Sequence, residues 1–194
     1  MRRKTMMYGI ALALCCSCLA PAFAGDEKPK AMDFTFEDIN PASPTHGKQL
    51  SLNELYAERG VVLNFLASWC GYCWKELPIL QEMADAGEAR VLGMAADEYG
   101  APAEILMSLI AQRGLTLPIL WVEPGQAAEL EKRYTYQTLP ATYLIDAQGI
   151  IASVLTGAVQ PDRLRAEVER ALGPGTAADE AARAEDPAPA AHAD

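Results

Sequence analysis

The sequence predicts an α/β fold: a layered, mostly parallel sheet with helices on both faces and an antiparallel end. Short runs of β-branched, aromatic and aliphatic residues alternate with segments of helical periodicity from residue 61 onward. The alternation ends in two strand-like runs around a turn at 146–149, followed by one last helix. This order predicts parallel strands joined by helices and then an antiparallel hairpin.

The first half of this domain contains two predicted strands and two predicted helices. Residues 33–36 alternate polar and apolar, which indicates a half-buried strand, and residues 40–47 are rich in turn formers. Ser51, with Glu54 three residues later, is typical of a capped helix start. Residues 61–66 form a short apolar run and therefore predict a buried central strand. A helix is expected to begin just after Cys70 and to kink at Pro78, which lacks a backbone donor.

The second half continues the alternation. Residues 91–95 and 118–122 predict buried strands, and residues 126–134 predict a helix between the second of these and the hairpin. The hairpin strands are expected at 142–145 and 150–154. Two more helices open at prolines, as their fixed φ favours. The first follows Pro102 and the second begins at Pro161; their predicted inner faces are Ile105, Leu106, Leu109 and Ile110, and Leu164, Val168 and Leu172, respectively.

Both ends of the chain differ from this domain. Residues 1–24 have a basic start, an apolar stretch and the sequence Ala-Phe-Ala, the layout of a secretory signal peptide cleaved after Ala24. Residues 6–24 are 19 uncharged positions, so an uncleaved membrane anchor is an alternative, and lipidation of Cys18 is another. Residues 173–194 are rich in Ala, Pro and acids, which predicts a disordered tail. Residues 25–172 remain as one domain.

The negative net charge of the protein argues against some classes of binding partner. The net charge is −10, and removal of the three basic residues of 1–24 would make it −13. So acidic a protein is not expected to bind nucleic acid or an anionic membrane surface. Three of the five cysteines, Cys15, Cys16 and Cys18, lie in the leader. Only Cys70 and Cys73 would enter an oxidising compartment, where a surplus thiol is a liability.

The residues Trp69-Cys70-Gly71-Tyr72-Cys73 form a Cys-x-x-Cys motif between a predicted strand and a predicted helix. The free N–H groups at a helix start stabilise a thiolate on Cys70. Cys73, three residues later, can form a disulfide with it, so we expect Cys70 to attack and Cys73 to resolve. A purely structural disulfide would constrain so short a loop little. Four zinc ligands are not available, but copper binding by the two thiolates remains an alternative.

Residues 33–172 resemble the TlpA/ResA branch of the thioredoxin superfamily, the extracytoplasmic thiol–disulfide reductases. The resemblance rests on six segments in this order: 33–38, 51–55, 62–70, 75–78, 139–146 with Gly149, and 156–157. It implies a thioredoxin fold, a central mixed sheet flanked by helices, with an N-terminal strand extension. The family position held by a buried Asp in cytoplasmic thioredoxins is here the neutral Asn64.

The resemblance also implies roles for individual residues. Leu139–Pro140 would be a cis peptide facing the cysteines, with Leu139 pairing with an extended client segment. Trp69, Gly71 and Tyr72 would border the same client site. Glu98 would lie near the cysteines and exchange their protons. Glu76 also matches the family pattern, but an acid in the first turn of a helix is favourable anyway, so a structural role is expected for it.

These observations predict a monomeric periplasmic protein disulfide reductase that needs no cofactor. Its expected partners are disulfide-bonded client proteins, of which cytochrome c apoproteins are the best known for the family, and a membrane thiol electron donor. The pair Gly71-Tyr72 is also found in periplasmic isomerases of the DsbC type, so an isomerase or oxidant on the same fold is an alternative. A copper-delivery protein is the alternative from another functional class.

Overall fold

The computed structural model describes residues 28–96 and 101–173, and these contain seven strands and five helices. The strands are β1 (Thr35–Glu37), β2 (Gln49–Ser51), β3 (Val61–Leu66), β4 (Val91–Ala95), β5 (Ile119–Trp121), β6 (Ala141–Ile145) and β7 (Ile151–Thr156). The helices are α1 (Leu52–Arg59), α2 (Cys73–Asp85), α3 (Ala103–Gln112), α4 (Pro124–Glu131) and α5 (Pro161–Leu172). None of these helices has both the length and the apolar character needed to span a membrane.

Five strands form a mixed sheet in the order β5-β4-β3-β6-β7. Strands β3, β4 and β5 are parallel, whereas β6 is antiparallel to β3 and β7 is antiparallel to β6. The predicted fold class, with its antiparallel end, is therefore confirmed. Strands β1 and β2 pair with each other as a separate antiparallel ribbon that extends the domain at its N-terminus. The sequence predicted β1 but not β2.

Strand β3 lies at the centre of the sheet and separates two apolar cores. Its side chains alternate between the faces, as a strand requires. Val62 and Leu66 face the core that is covered by α2, α3 and α5, while Leu63 and Phe65 face the core that is covered by α1 and α4. The second core is rich in aromatic rings, and Phe65 stacks on Tyr136 with centroids 4.7 Å apart. The central strand is thus buried on both faces, as its unbroken apolar run predicted.

Two local predictions are wrong. In α3, Leu106 and Ile110 are buried and Leu109 packs against the core, but Ile105 is 49% exposed because it lies at the edge of this apolar face. At the start of α1, Ser51 makes no side-chain cap. The carboxylate of Asp33 takes that role instead, because its Oδ1 accepts from the Asn53 amide at 3.0 Å and from Ser51 Oγ at 3.3 Å.

The N-terminal extension is attached to the edge of the sheet through a buried carboxylate. Asp38 has no exposed surface, and its Oδ1 accepts from the backbone amides of Asn40 and Ile119, both at 3.0 Å. Its Oδ2 accepts from Thr45 Oγ1 at 2.7 Å. Buried Asn40 extends the network by donating from Nδ2 to the carbonyl oxygens of Leu115 and Leu117. The 40–47 loop, predicted as such, is therefore held against the segment that leads into β5.

Several predicted segments lie outside the described residues. These are the leader 1–24 with its three cysteines, the tail apart from Gly173, and Glu98 in the interval 97–100.

We predict that Asp38→Ala lowers the free energy of unfolding by about 2–5 kcal/mol, because three donors lose a buried acceptor. Urea unfolding of the oxidised protein measures this change. The control is Glu37→Ala, which removes the neighbouring exposed carboxylate and should change stability by less than about 0.5 kcal/mol. Equal effects of the two substitutions would show that the Asp38 network does not anchor the extension.

Candidate active site

The two cysteines lie where the central strand passes into its helix. Strand β3 ends at Leu66, the chain turns through residues 67–72, and α2 begins at Cys73 rather than just after Cys70. Within the turn, the Cys70 amide donates to the carbonyl oxygen of Ala67 at 3.1 Å. Cys70 and Cys73 form a disulfide with Cα atoms 5.3 Å apart. The structure therefore confirms that the three-residue spacing lets the sulfurs bond.

The two sulfurs differ in exposure and in hydrogen bonding. Cys73 is fully buried, whereas Cys70 is 5% exposed, so the order of exposure is the predicted one. The backbone amide of Cys73 donates to Cys70 Sγ at 3.1 Å. After reduction, an amide at the helix start would stabilise negative charge on that sulfur. Cys70 is thus the sulfur that is better suited to attack.

Aromatic side chains surround the disulfide at the surface. Trp69 is 50% exposed and Tyr72 is 60% exposed, and Gly71 between the cysteines is exposed as well. This exposed border fits the client-binding role that the sequence predicts for these three residues. Lys75 Nζ lies 5.3 Å from the centroid of the Tyr72 ring, which adds a positive charge to the border.

Trp74 packs in the protein interior and hydrogen bonds to the cysteine loop. Its Nε1 donates to the carbonyl oxygen of Ser68 at 3.0 Å, and its ring is almost fully buried. The guanidinium of Arg113 lies 4.6 Å from the ring centroid, a cation–π distance. Neither residue stands out in the sequence, because their contact joins the start of α2 to the end of α3.

A buried carboxyl group lies on the inner face of α2. Glu76 is only 4% exposed and lies three residues after Cys73, on the same side of the helix as Leu77 and Leu80. Its Oε1 accepts from Asn64 Nδ2 at 3.0 Å and from Thr142 Oγ1 at 2.9 Å. Asn64 Nδ2 also donates to Thr142 Oγ1 at 2.8 Å. Glu76 is therefore a buried acid of the first turn of α2, and its hydrogen bonds to the sheet agree with the structural role predicted for it.

Two acceptors in this group are poorly satisfied. Asn64 Oδ1 and Glu76 Oε2 are both buried, and neither accepts a hydrogen bond of good geometry from the described part of the chain, although the Val159 amide faces the Glu76 carboxyl group. Burial raises the pKa of the Glu76 carboxyl, because a buried site disfavours the charged form. The hydrogen bond from Thr142, the backbone amide of Val159 and the hydrogen bond from Asn64 oppose this rise in the pKa. The site thus contains an acid that can take up a proton close to the buried cysteine.

The Leu139–Pro140 peptide is cis, as the resemblance implied. It immediately precedes β6, and the Gly157 amide donates to the Pro140 carbonyl oxygen at 2.8 Å. Because Ala141 pairs with Phe65 near the end of β3, Pro140 lies at the sheet end from which the cysteine loop leaves. Leu139 packs against the core cluster that contains both cysteines. Its pairing with a client segment remains a prediction.

The predicted cysteine pair and cis proline are therefore confirmed, whereas the client-binding role of Trp69, Gly71 and Tyr72 remains a prediction. For Glu76 the sequence predicts a structural role but not its burial. One signal was available, since Glu76 falls at the i+3 position from Cys73, within the apolar stripe of α2. The role predicted for Glu98 remains a prediction. In the described ranges, no group of three or more His, Cys, Asp or Glu side chains is arranged to hold a metal ion.

Comparison with known proteins gives consistent matches. The sequence model of the AhpC/TSA family matches residues 28–154. Thiol-disulfide oxidoreductase ResA from Bacillus subtilis (strain 168) is 28% identical over 164 residues, which cover 80% of this chain and 86% of that protein.

Solved structures agree on the fold. The crystal structure of StoA from Bacillus subtilis has a TM-score of 0.57 and 25% identity, covering 71% of this chain and 98% of that one. A thiol:disulfide interchange protein of the thioredoxin family from Chlorobium tepidum TLS has a TM-score of 0.62 and 20% identity, covering 75% and 97%. The family model spans well over half of the chain, and with the thioredoxin fold and the Cys70–Cys73 disulfide it shows that the protein belongs to the AhpC/TSA family and is a thiol–disulfide oxidoreductase.

Proposed function

We propose that the protein is an exported protein disulfide reductase. In its reduced form the Cys70 thiolate attacks a client disulfide, forms a mixed disulfide and releases the first client sulfur as a thiolate. Cys73 then attacks Cys70 Sγ and releases the second client sulfur. The client gains two electrons, and the enzyme is left with the Cys70–Cys73 disulfide that the structure shows.

The observation that carries the reducing direction is the burial of Glu76 beside the cysteine pair. A disulfide is a strong oxidant when the thiolate of its reduced form is stabilised. A buried carboxyl group supplies no positive charge to a thiolate, and when ionised it repels one. This environment disfavours a thiolate on Cys73, and the lack of that stabilisation supports donation of electrons to clients.

Glu76 also supplies a group for the proton of Cys73. Cys73 is fully buried, so solvent cannot take its proton directly. Side chains three residues apart on a helix have Cβ atoms about 5–6 Å apart, so Glu76 lies within reach of this sulfur. As a carboxylate it would accept the Cys73 proton when Cys73 attacks, and it would later return a proton to the released thiolate or to solvent.

The setting of the reaction rests on the ends of the chain and on the family. The leader pattern of residues 1–24 supports export to the periplasm, with a retained anchor as the alternative. A membrane thiol donor would reduce the enzyme again, and disulfide-bonded proteins, including cytochrome c apoproteins, would be the clients. The exposed ring of Tyr72 and its neighbour Gly71 favour a disulfide isomerase as the second candidate.

We predict that Cys70→Ser abolishes reduction of a peptide disulfide, whereas Cys73→Ser accumulates a mixed disulfide through Cys70. The reason is that Cys70 is closer to solvent and receives the helix amide. Mass spectrometry of each variant after mixing with the peptide detects the adduct, and Thr35→Ser, at an exposed position of the separate β1–β2 ribbon, serves as the control. An adduct on Cys73 in the Cys70→Ser variant would reverse the assigned roles.

We predict that the reduction potential of the pair at pH 7 is more negative than about −220 mV, the reducing end of the thioredoxin-like range. Equilibration with glutathione or dithiothreitol buffers measures it. A potential between about −180 and −120 mV is typical of isomerases and oxidants. Such a value would reject the reductase proposal in favour of the second candidate, while leaving the oxidoreductase chemistry intact.

A further inference from the structure

The hydrogen bonds around Glu76 indicate that the site contains one more proton than it would have with an ionised carboxylate. Asn64 Nδ2 and Thr142 Oγ1 are both directed at Glu76 Oε1, so this atom is the acceptor of the carboxyl group. Glu76 Oε2 and Asn64 Oδ1 remain, both buried and neither accepting a hydrogen bond of good geometry, although the Val159 amide faces the carboxyl group. Two acceptors cannot bond to each other unless a proton lies between them. Leaving both acceptor atoms without a hydrogen bond in a buried site raises the free energy of the folded protein.

We propose that Asn64 is a positioning residue that holds a proton on Glu76 while the disulfide is closed. Glu76 Oε2 carries this proton and donates it to Asn64 Oδ1, and Asn64 Nδ2 donates in return to Glu76 Oε1. The two side chains then form a cyclic acid–amide pair, which satisfies both unpaired acceptors at once. The amide of Asn64 can do this because it is both a donor and an acceptor.

The surroundings favour the neutral acid. The groups facing Glu76 in the described part of the chain are uncharged: Asn64 from β3, Thr142 from β6, the Val159 amide before α5, and the disulfide of Cys70 and Cys73 at the start of its own helix. Burial is the largest influence on this carboxyl and opposes its ionisation. None of these facing groups is a cation that could balance the negative charge of a Glu76 carboxylate. Protonation of Glu76 therefore removes this charge.

The pair also explains how the proton follows the redox state. In the reduced protein the Cys73 thiol can donate to the Glu76 carboxylate, which favours the ionised acid. When Cys73 gives its proton to Glu76 and bonds to Cys70, this donor disappears, and Asn64 Oδ1 becomes the acceptor of the transferred proton. The proposal rests on the proton-accepting role proposed above for Glu76, but it concerns the resting oxidised state and needs no client.

The test is a carboxyl titration of the oxidised full-length protein, followed through the ¹³C carboxyl resonance of labelled glutamate. Glu76→Gln identifies the signal of Glu76 by its loss. The proposal predicts that Glu76 in the wild type remains protonated well above the usual carboxyl range and becomes more acidic when the disulfide is reduced. If the oxidised wild type shows an ionised Glu76 throughout the range where exposed carboxyls are ionised, the proposal is wrong.

Substitutions separate a proton acceptor from a simple donor. Asn64→Leu removes both the donor and the acceptor of the amide side chain. Among the hydrogen bonds that favour ionisation of Glu76, the one donated by Asn64 has the smallest effect. Loss of the acceptor should therefore dominate and lower the proton affinity of Glu76 about two- to tenfold. If Asn64 were only a donor, the same substitution would raise this affinity, and that result would overturn the proposal.

Thr142→Val is the matched control. It removes a donor to Oε1 but leaves Asn64 Oδ1 in place, so the proton affinity of Glu76 should rise. Opposite shifts in the two variants are the expected signature, and parallel shifts contradict it. Failure of this test would leave the client reaction of Cys70 and Cys73 unaffected, since reduction of a peptide disulfide is measured separately.

Discussion

The burial of one carboxyl group between the central strand and the active-site helix is the constraint on which the site depends. Asn64 on β3 and Thr142 on β6 are directly paired residues of the sheet, and both hydrogen bond to Glu76 on α2. A polar group buried in this way is tolerated only where its partners are in place. The same two hydrogen bonds fix the first turn of α2 against the sheet, and this turn begins with Cys73. Thus the contacts that satisfy the acid also position the disulfide.

This arrangement also determines which of the two sulfurs is favoured as a thiolate. The helix start offers an amide to Cys70, which favours a thiolate on the attacking sulfur. The buried side of the same pair faces an acid, which disfavours a second negative charge next to it. The two sulfurs therefore have different roles: Cys70, the more exposed of the two, is the nucleophile, and Cys73 is the fully buried group whose proton must be transferred.

Much of the fold could be predicted because it depends on local patterns. The run at 61–66 is apolar throughout and the Cys-x-x-Cys pair is adjacent in sequence, so both could be interpreted without the tertiary structure. Strand β2 was missed because its three residues show no strand pattern alone and are ordered by pairing with β1. The cap of α1 comes from Asp33, twenty positions before the amide it accepts from. The partners of Glu76 lie 12 and 66 positions away, so its burial follows from the packing of α2 on the sheet and not from its neighbours in sequence.

The coupling of Glu76 to the redox state is tested most directly by the dependence of the reduction potential on pH. Each proton taken up with the two electrons contributes about 30 mV per pH unit. Below the ionisation of the thiols, the account predicts a window in which the wild type changes by about 30 mV per pH unit, because Glu76 releases one proton as the dithiol takes up two. In the same window Glu76→Gln should change by about 60 mV per pH unit. A wild-type slope of about 60 mV throughout, indistinguishable from that of Glu76→Gln, would contradict the account.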